Sequence, residues 1–185
     1  MNEAFTSILL SLQAGVPWRK VKGFQMTDFP NLKTKYPDLI PARMDFECGP
    51  GWEKVLDKYF GDVSAALPSG TRLRLDKVYE KYGSLRVDAM PEGAVTRSVH
   101  LALDRAEVLA DLRSYRYCET CGKPGSLRDK SWLSVDCEAH ANGAPPLPPH
   151  DGRITLDGVA FEYDEGLDDL VPTKRRAKRP TGTKR

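Results

Sequence analysis

An α+β fold follows from three features of this chain. Two apolar stripes recur at helical spacing, two alternating runs lie between them, and two close pairs of soft side chains come after the second stripe. The order they predict is helix, antiparallel hairpin, helix and a small four-ligand unit. A second, C-terminal hairpin follows. With 185 residues, 40% hydrophobic and 29% charged, the chain has enough apolar material for one such core with polar appendages.

Residues 1–44 carry the weakest pattern. Phe5, Ile8, Leu9 and Leu12 fall at helical spacing and predict a short amphipathic helix that ends near Gly15 and Pro17. From Gly23 to Pro41, three prolines and no sustained period predict an extended segment over the body. The body, residues 45–116, begins with the breaker Gly49-Pro50-Gly51. Trp52, Val55, Leu56, Tyr59, Phe60, Val63 and Leu67 then form one stripe, stopped by Pro68-Ser69-Gly70, which predicts a core-facing helix. Leu73 and Leu75 alternate with Arg72, Arg74 and Asp76, and Leu85, Val87 and Ala89 alternate with Arg86 and Asp88. Tyr82-Gly83-Ser84 between them completes an antiparallel hairpin. Val99, Leu103, Ala106, Leu109 and Ala110 mark a second helix from Arg97 to Tyr115, with His100 as a surface or packing residue.

That helix delivers the chain to Cys118-x-x-Cys121, followed after fifteen residues by Cys137-x-x-His140. No apolar run approaches the ~20 residues of a membrane span. The run Ile8-Leu9-Leu10 has Glu3 and no basic residue ahead of it, so it makes a poor secretory signal. A reducing cytosol is therefore expected, where paired cysteines hold metal more often than they form disulfides. A redox CxxC lacks the βαβ surroundings it would need, and plain reduced thiols are the bland alternative. Cys118, Cys121, Cys137 and His140 have the spacing of a structural Zn2+ site, with Cys48 or His150 as competitors for the place of His140. His140 is favoured because its spacing requires no long loop closure.

In mechanical terms, Cys118 to Gly122 reads as a zinc knuckle and Pro124-Gly125 as a turn. Leu127 to Val135 reads as a short hairpin with Trp132 and Leu133 beside the site, and Cys137 as the start of a helical turn. Residues 117–142 thus form a treble-clef-like unit. Three thiolates, one neutral imidazole and a dication sum to a formal charge of −1, which Lys123, Arg128 and Lys130 are near enough to offset. A closed site of this kind builds a scaffold and performs no chemistry.

Residues 143–152 contain Pro145-Pro146-Leu147-Pro148-Pro149, a stiff spacer of polyproline character. Residues 153–171 hold strand-like runs around Asp157-Gly158, a hairpin signal, and an acidic run from Glu162 to Asp169 read as solvated. Residues 172–185 form a basic tail with no capacity to fold alone. Lys174, Arg175, Arg176, Lys178, Arg179, Lys184 and Arg185 are its seven bases, and residues 174–185 contain no acid. The remaining 21 bases face 26 acids, so the body is mildly acidic although the whole chain is +2. The tail is a candidate contact for nucleic-acid phosphates or a partner, its plain alternative being a solvated end. A net −5 over 173 residues is too sparse for the body to mimic DNA.

The sequence resembles a mostly phage-encoded family of small zinc-binding proteins of unassigned function. The matching residues are Glu47-Cys48-Gly49 with Gly51-Trp52, Glu80-Lys81-Tyr82-Gly83 with Leu85-Arg86, Cys118-x-x-Cys121-Gly122 with Pro124-Gly125, and Trp132-Leu133 leading to Cys137-x-x-His140. The likeness runs from about Phe46 to His140, roughly half the chain. Family members usually have Phe-Gly-Gly where this chain has Tyr82-Gly83-Ser84, and an aromatic where it has Val87. The resemblance implies a phage accessory protein in the cytoplasm of a bacterial host, and it brings no catalytic residue. No deaminase, HExxH or phosphate-loop pattern appears in the sequence. The expected role is binding of a host protein, which it would inhibit or redirect. A nucleic-acid-binding regulator is the alternative, and a hydrolase or nuclease a distant third.

Overall fold

The computed structural model describes residues 26–173. The helix expected around Phe5 to Leu12 and the basic tail from Lys174 lie outside the described residues.

The chain enters along Thr27, which forms an antiparallel bridge with Phe46, and then makes a short helix, α1 (Pro30–Lys35). This corrects the extended segment expected there. Pro30 occupies the first turn, where its missing N–H costs nothing, and Leu32 is buried. A 3-10 turn, Pro50–Trp52, leads into α2 (Glu53–Ala66), whose buried residues Val55, Leu56, Tyr59, Phe60 and Val63 are the stripe read from the sequence. Leu67 ends it as the C-cap. The hairpin follows as β1 (Leu73–Lys81) and β2 (Ser84–Pro91), antiparallel, with a register shift between Leu75 and Lys77. Tyr82 and Gly83 both have positive φ, 55° and 80°, the pattern of a type I′ turn that matches strand twist. Glu47 pairs with Tyr79 in a parallel bridge, so the segment before α2 extends the hairpin by one short rung.

Helix α3 (Arg97–Ser114) starts at Thr96, whose Oγ1 accepts the Val99 N–H at 3.4 Å. It buries two faces. Leu103, Ala106 and Ala110 join α1, α2 and the hairpin in the main core, where Phe46 meets Phe29 edge-on at 5.0 Å. Leu109 and Leu112 instead form a second cluster with Leu170 and the half-buried Ile154, Leu156, Phe161 and Tyr163. Those partners come from an antiparallel sheet of β5 (Arg153–Leu156), β6 (Val159–Asp164) and β7 (Asp169–Pro172), in that order. The expected C-terminal hairpin is present, but β7 adds a third strand.

The acidic run is solvated only in part: Glu162, Glu165 and Leu167 are exposed, while its aspartates are half-buried and held by hydrogen bonds or ion pairs. Asp164 accepts N–H bonds from Gly166 and Leu167, Asp169 pairs with Arg105, and Asp168 is bound by Lys58, Arg113 and the Tyr163 hydroxyl. Arg113, on α3 and nearly buried, donates to the Asp168 carboxylate at 2.8 Å and to its carbonyl at 3.0 Å, and reaches Asp62 at 3.2 Å. One guanidinium thus ties the β6–β7 turn to both helices. Burial alone would raise the Asp168 carboxyl, but the hydrogen bonds from Arg113, Lys58 and Tyr163 outweigh it and hold it at about 2.

Because the folded value lies below the ~3.9 of a free aspartate, this stabilisation is complete above about pH 4 and is lost as pH falls through about 2. Amide exchange of residues 153–172 is expected to lose protection across that window, by about 1–2 kcal/mol, and Asp168→Asn is expected to abolish the step. Unchanged protection in the native chain down to about pH 2 would contradict this account.

Between α3 and β5 lies the four-ligand unit, with β3 (Ser126–Asp129) paired antiparallel to β4 (Leu133–Asp136) and a 3-10 turn Glu138–His140. The proline-rich segment, expected as a stiff spacer, is docked on the hairpin. Pro146 bridges Arg128, and the Leu147 N–H donates to the Leu127 carbonyl at 2.8 Å, so this stretch lies along β3. Among the described residues, no helix is long and apolar enough to cross a membrane.

Candidate metal centre

Local chain geometry brings the two ligand pairs together. The Gly122 N–H donates to the Cys118 carbonyl at 2.8 Å and the Cys118 N–H to the Lys123 carbonyl at 2.8 Å, a tight knuckle that Gly122 closes with a φ of 70°. Cys137 caps the 3-10 turn, whose His140 N–H donates to the Cys137 carbonyl at 2.9 Å. The β3–β4 hairpin carries this turn back to the knuckle, and the Glu119 N–H donates to the Val135 carbonyl at 3.0 Å.

The four ligand atoms all lie within 4.8 Å of one another. His140 Nδ1 is 3.3 Å from the sulfurs of both Cys118 and Cys137, and the sulfurs of Cys121 and Cys137 are 3.7 Å apart. A tetrahedron with metal–sulfur bonds of about 2.3 Å and metal–nitrogen bonds of about 2.0 Å needs edges of roughly 3.8 Å and 3.5 Å. The residues therefore fit a tetrahedral divalent cation, with Nδ1 as the imidazole donor. All four described cysteines are free thiols.

Exposure is uneven around the site. Cys118 and Cys137 are buried, His140 is half-buried and Cys121 is exposed. Burial raises the Cys137 thiol, but the thiols of Cys121 and Cys118 and the backbone N–H groups of His140 and Ala139 outweigh it and lower the value. Such N–H groups stabilise a ligating thiolate. Neither sequence competitor joins the cluster. Cys48 sits in the main core, where burial first, and Glu119 and Glu80 after it, push its thiol well above the ordinary range. His150 stacks on Tyr115 with centroids 4.8 Å apart, and its Nδ1 accepts the Gly152 N–H.

Two buried cations brace the ligand-bearing turn, a role the sequence reading left open. Lys130 pairs with Asp136 at 2.5 Å and donates to the His140 carbonyl at 3.2 Å, while the Ser134 hydroxyl donates to Asp136 at 2.6 Å. Arg128 donates to the carbonyls of Asp136 and Ala144 and pairs with Glu138. Together they fix three carbonyls around the segment that holds Cys137 and His140. Lys123 is exposed. Trp132, expected beside the site, is 41% exposed and lines a shallow hollow with Lys130, Asn142, Gly143 and Ala144.

The knuckle is also built into the body. The Gly51 N–H donates to the Glu119 carbonyl at 2.7 Å, the Gly49 N–H to the Glu119 carboxylate at 2.9 Å and the Trp52 indole to the Tyr117 carbonyl at 2.9 Å. A Cβ on Gly51 would lie 2.1 Å from the Cys118 carbonyl and 2.4 Å from the Gly122 nitrogen, so only hydrogen fits between these backbones. The sequence signal for this contact is the Gly49-Pro50-Gly51-Trp52 string, which marks a chain break and a helix start without revealing the close approach to the knuckle. Lys174, Arg175, Arg176, Lys178, Arg179, Lys184 and Arg185 lie outside the described residues. Comparison with known protein families, with curated proteins and with solved structures finds no match for this chain.

Proposed function

We propose that the ion is structural Zn2+, that residues 117–142 are a treble clef shortened to a single 3-10 turn after its hairpin, and that the chain is a phage accessory protein binding a host protein in the bacterial cytoplasm. The observation that carries this reading is the closed ligand set. Three sulfurs and one nitrogen use all four positions of a tetrahedral ion, leaving none for water or substrate. The ion then contributes rigidity. It fixes the knuckle and the 3-10 turn against Gly51 and Trp52, and so joins hairpin, helix and metal unit into one presented surface. Zinc suits the donor set because thiolate and imidazole favour it over magnesium or calcium, which prefer oxygen.

Nucleic-acid binding is the second reading, favoured by the seven bases of residues 174–185 and the absence of acids there. Capture from bacterial lysate with the full chain and with residues 1–173 separates the two. The interaction reading expects one host protein retained by both forms at raised salt. Loss of binding on truncation, together with a salt-dependent DNA shift by the full chain alone, would give the nucleic-acid reading the place.

A further inference from the structure

The four ligands differ in one respect that bears on chemistry: Cys121 is exposed, whereas Cys118 and Cys137 are buried. The Cys137 sulfur lies 3.7 Å from the sulfur of Cys121, within contact distance. An attacking oxidant therefore has one open sulfur in the cluster and a second thiolate within reach of it. The remaining described cysteine, Cys48, is 1% exposed, and burial keeps it protonated, so it takes no part.

We propose that Cys121 is an oxidation site through which peroxide opens the metal centre, with Cys137 as its resolving partner. The inference rests on the metal reading above. In the first step the Cys121 thiolate attacks one oxygen of hydrogen peroxide. The O–O bond breaks, hydroxide leaves, and the sulfur, oxidised by two electrons, becomes a sulfenic acid. In the second step the Cys137 thiolate attacks that sulfur, forming the disulfide and expelling a second hydroxide. Two thiolates and one peroxide thus give one disulfide and two hydroxides.

Cys118 and His140 then remain as two ligands where four are needed, and the ion is released. The Cys137 end of the linkage sits on the turn braced by Lys130 and Arg128, while Cys121 sits on the knuckle packed on Gly51. The disulfide closes while the turn and the knuckle are still in place, with the two sulfurs 3.7 Å apart, which favours this linkage over mixed ones. A dithiol reductant would return both thiols, after which added zinc refills the site.

The test uses the full chain, first shown by elemental analysis to carry zinc; absence of zinc at that stage refutes the metal reading, and with it this inference. The zinc-loaded chain is then treated with stepwise hydrogen peroxide beside a chromogenic zinc chelator, and peptides are mapped without reduction. The expected result is one zinc released per disulfide, the disulfide joining Cys121 to Cys137, and full re-uptake of zinc after dithiothreitol. Cys48→Ser is expected to release zinc at the unchanged rate. Retention of zinc under peroxide that oxidises free cysteine, a first bond between Cys118 and Cys121, or dependence of release on Cys48 would each overturn the proposal.

Discussion

Cys118→Ser is expected to cost the chain its metal and the order of residues 117–149, with a loss of about 4 kcal/mol or more. Cys118 is fully buried and lies at the meeting point of knuckle and body. A unit built on two four-residue strands and a three-residue turn buries little apolar surface of its own, Val135 being its fully buried side chain among the larger ones. On the proposed metal reading, ion binding therefore supplies most of its folding free energy. The main core around α2 contains Trp52, Tyr59, Phe60 and Phe46, all almost wholly buried, and should outlast the loss. Thermal unfolding is expected to split into an early and a late step, readable as lost exchange protection over residues 117–149 while α2 stays protected. A single cooperative transition at the native midpoint would argue against this division.

Gly51→Ala should produce the second largest effect, although it adds one methyl group far from any ligand in sequence. The new carbon would overlap the Cys118 carbonyl, the Glu119 carbonyl and the Gly122 nitrogen, all of them backbone atoms that no rotamer change can move aside. Relief requires the knuckle to lift from the body, with loss of the Gly51-to-Glu119 and Trp52-to-Tyr117 hydrogen bonds. A destabilisation of about 2–4 kcal/mol is expected, together with a weakened hold on the metal. Competition for zinc against a graded chelator measures the second effect. Gly61→Ala is the matched control: its Cβ would come no closer than 3.4 Å to another atom, the Tyr36 hydroxyl, and it is expected to be neutral or mildly stabilising. Equal behaviour of the two variants would remove the contact from the account.

The parts of this structure that were legible in the sequence are those dictated by short-range patterns. The α2 stripe, the alternation around Tyr82-Gly83 and the Asp157-Gly158 turn each record a local period or a local need for positive φ, and each element appears where the pattern put it. The ligand spacing was legible for the same reason, since knuckle and turn are local structures joined by one hairpin. What escaped was decided by distant partners. Helix α1 is six residues long and holds because Leu32 enters the core and Lys35 and Tyr36 bind Asp57. The acidic run looked solvated because its cationic partners, Lys58, Arg105 and Arg113, lie more than fifty residues upstream. Strand β7 and the docked proline segment likewise depend on surfaces that the rest of the chain provides. The double-sided burial of α3 follows from that docking, which no single stripe in its sequence announces.

The site shows the same division. Which four residues converge was readable, but not that Lys130 and Asp136 form a buried pair beneath the turn or that Glu119 grips Gly49 and Gly51. Residues 118–140 supply the ligands, and residues 49–52 supply the seat.

The central claim is that Cys118, Cys121, Cys137 and His140 hold a metal that orders this region. The most direct measurement is elemental analysis of the full chain purified without added metal, followed by amide exchange before and after a strong chelator. The account predicts one zinc per chain, and a loss of protection on chelation confined largely to residues 117–149. Negligible metal in the purified chain, with protection of those residues indifferent to the chelator, would contradict it.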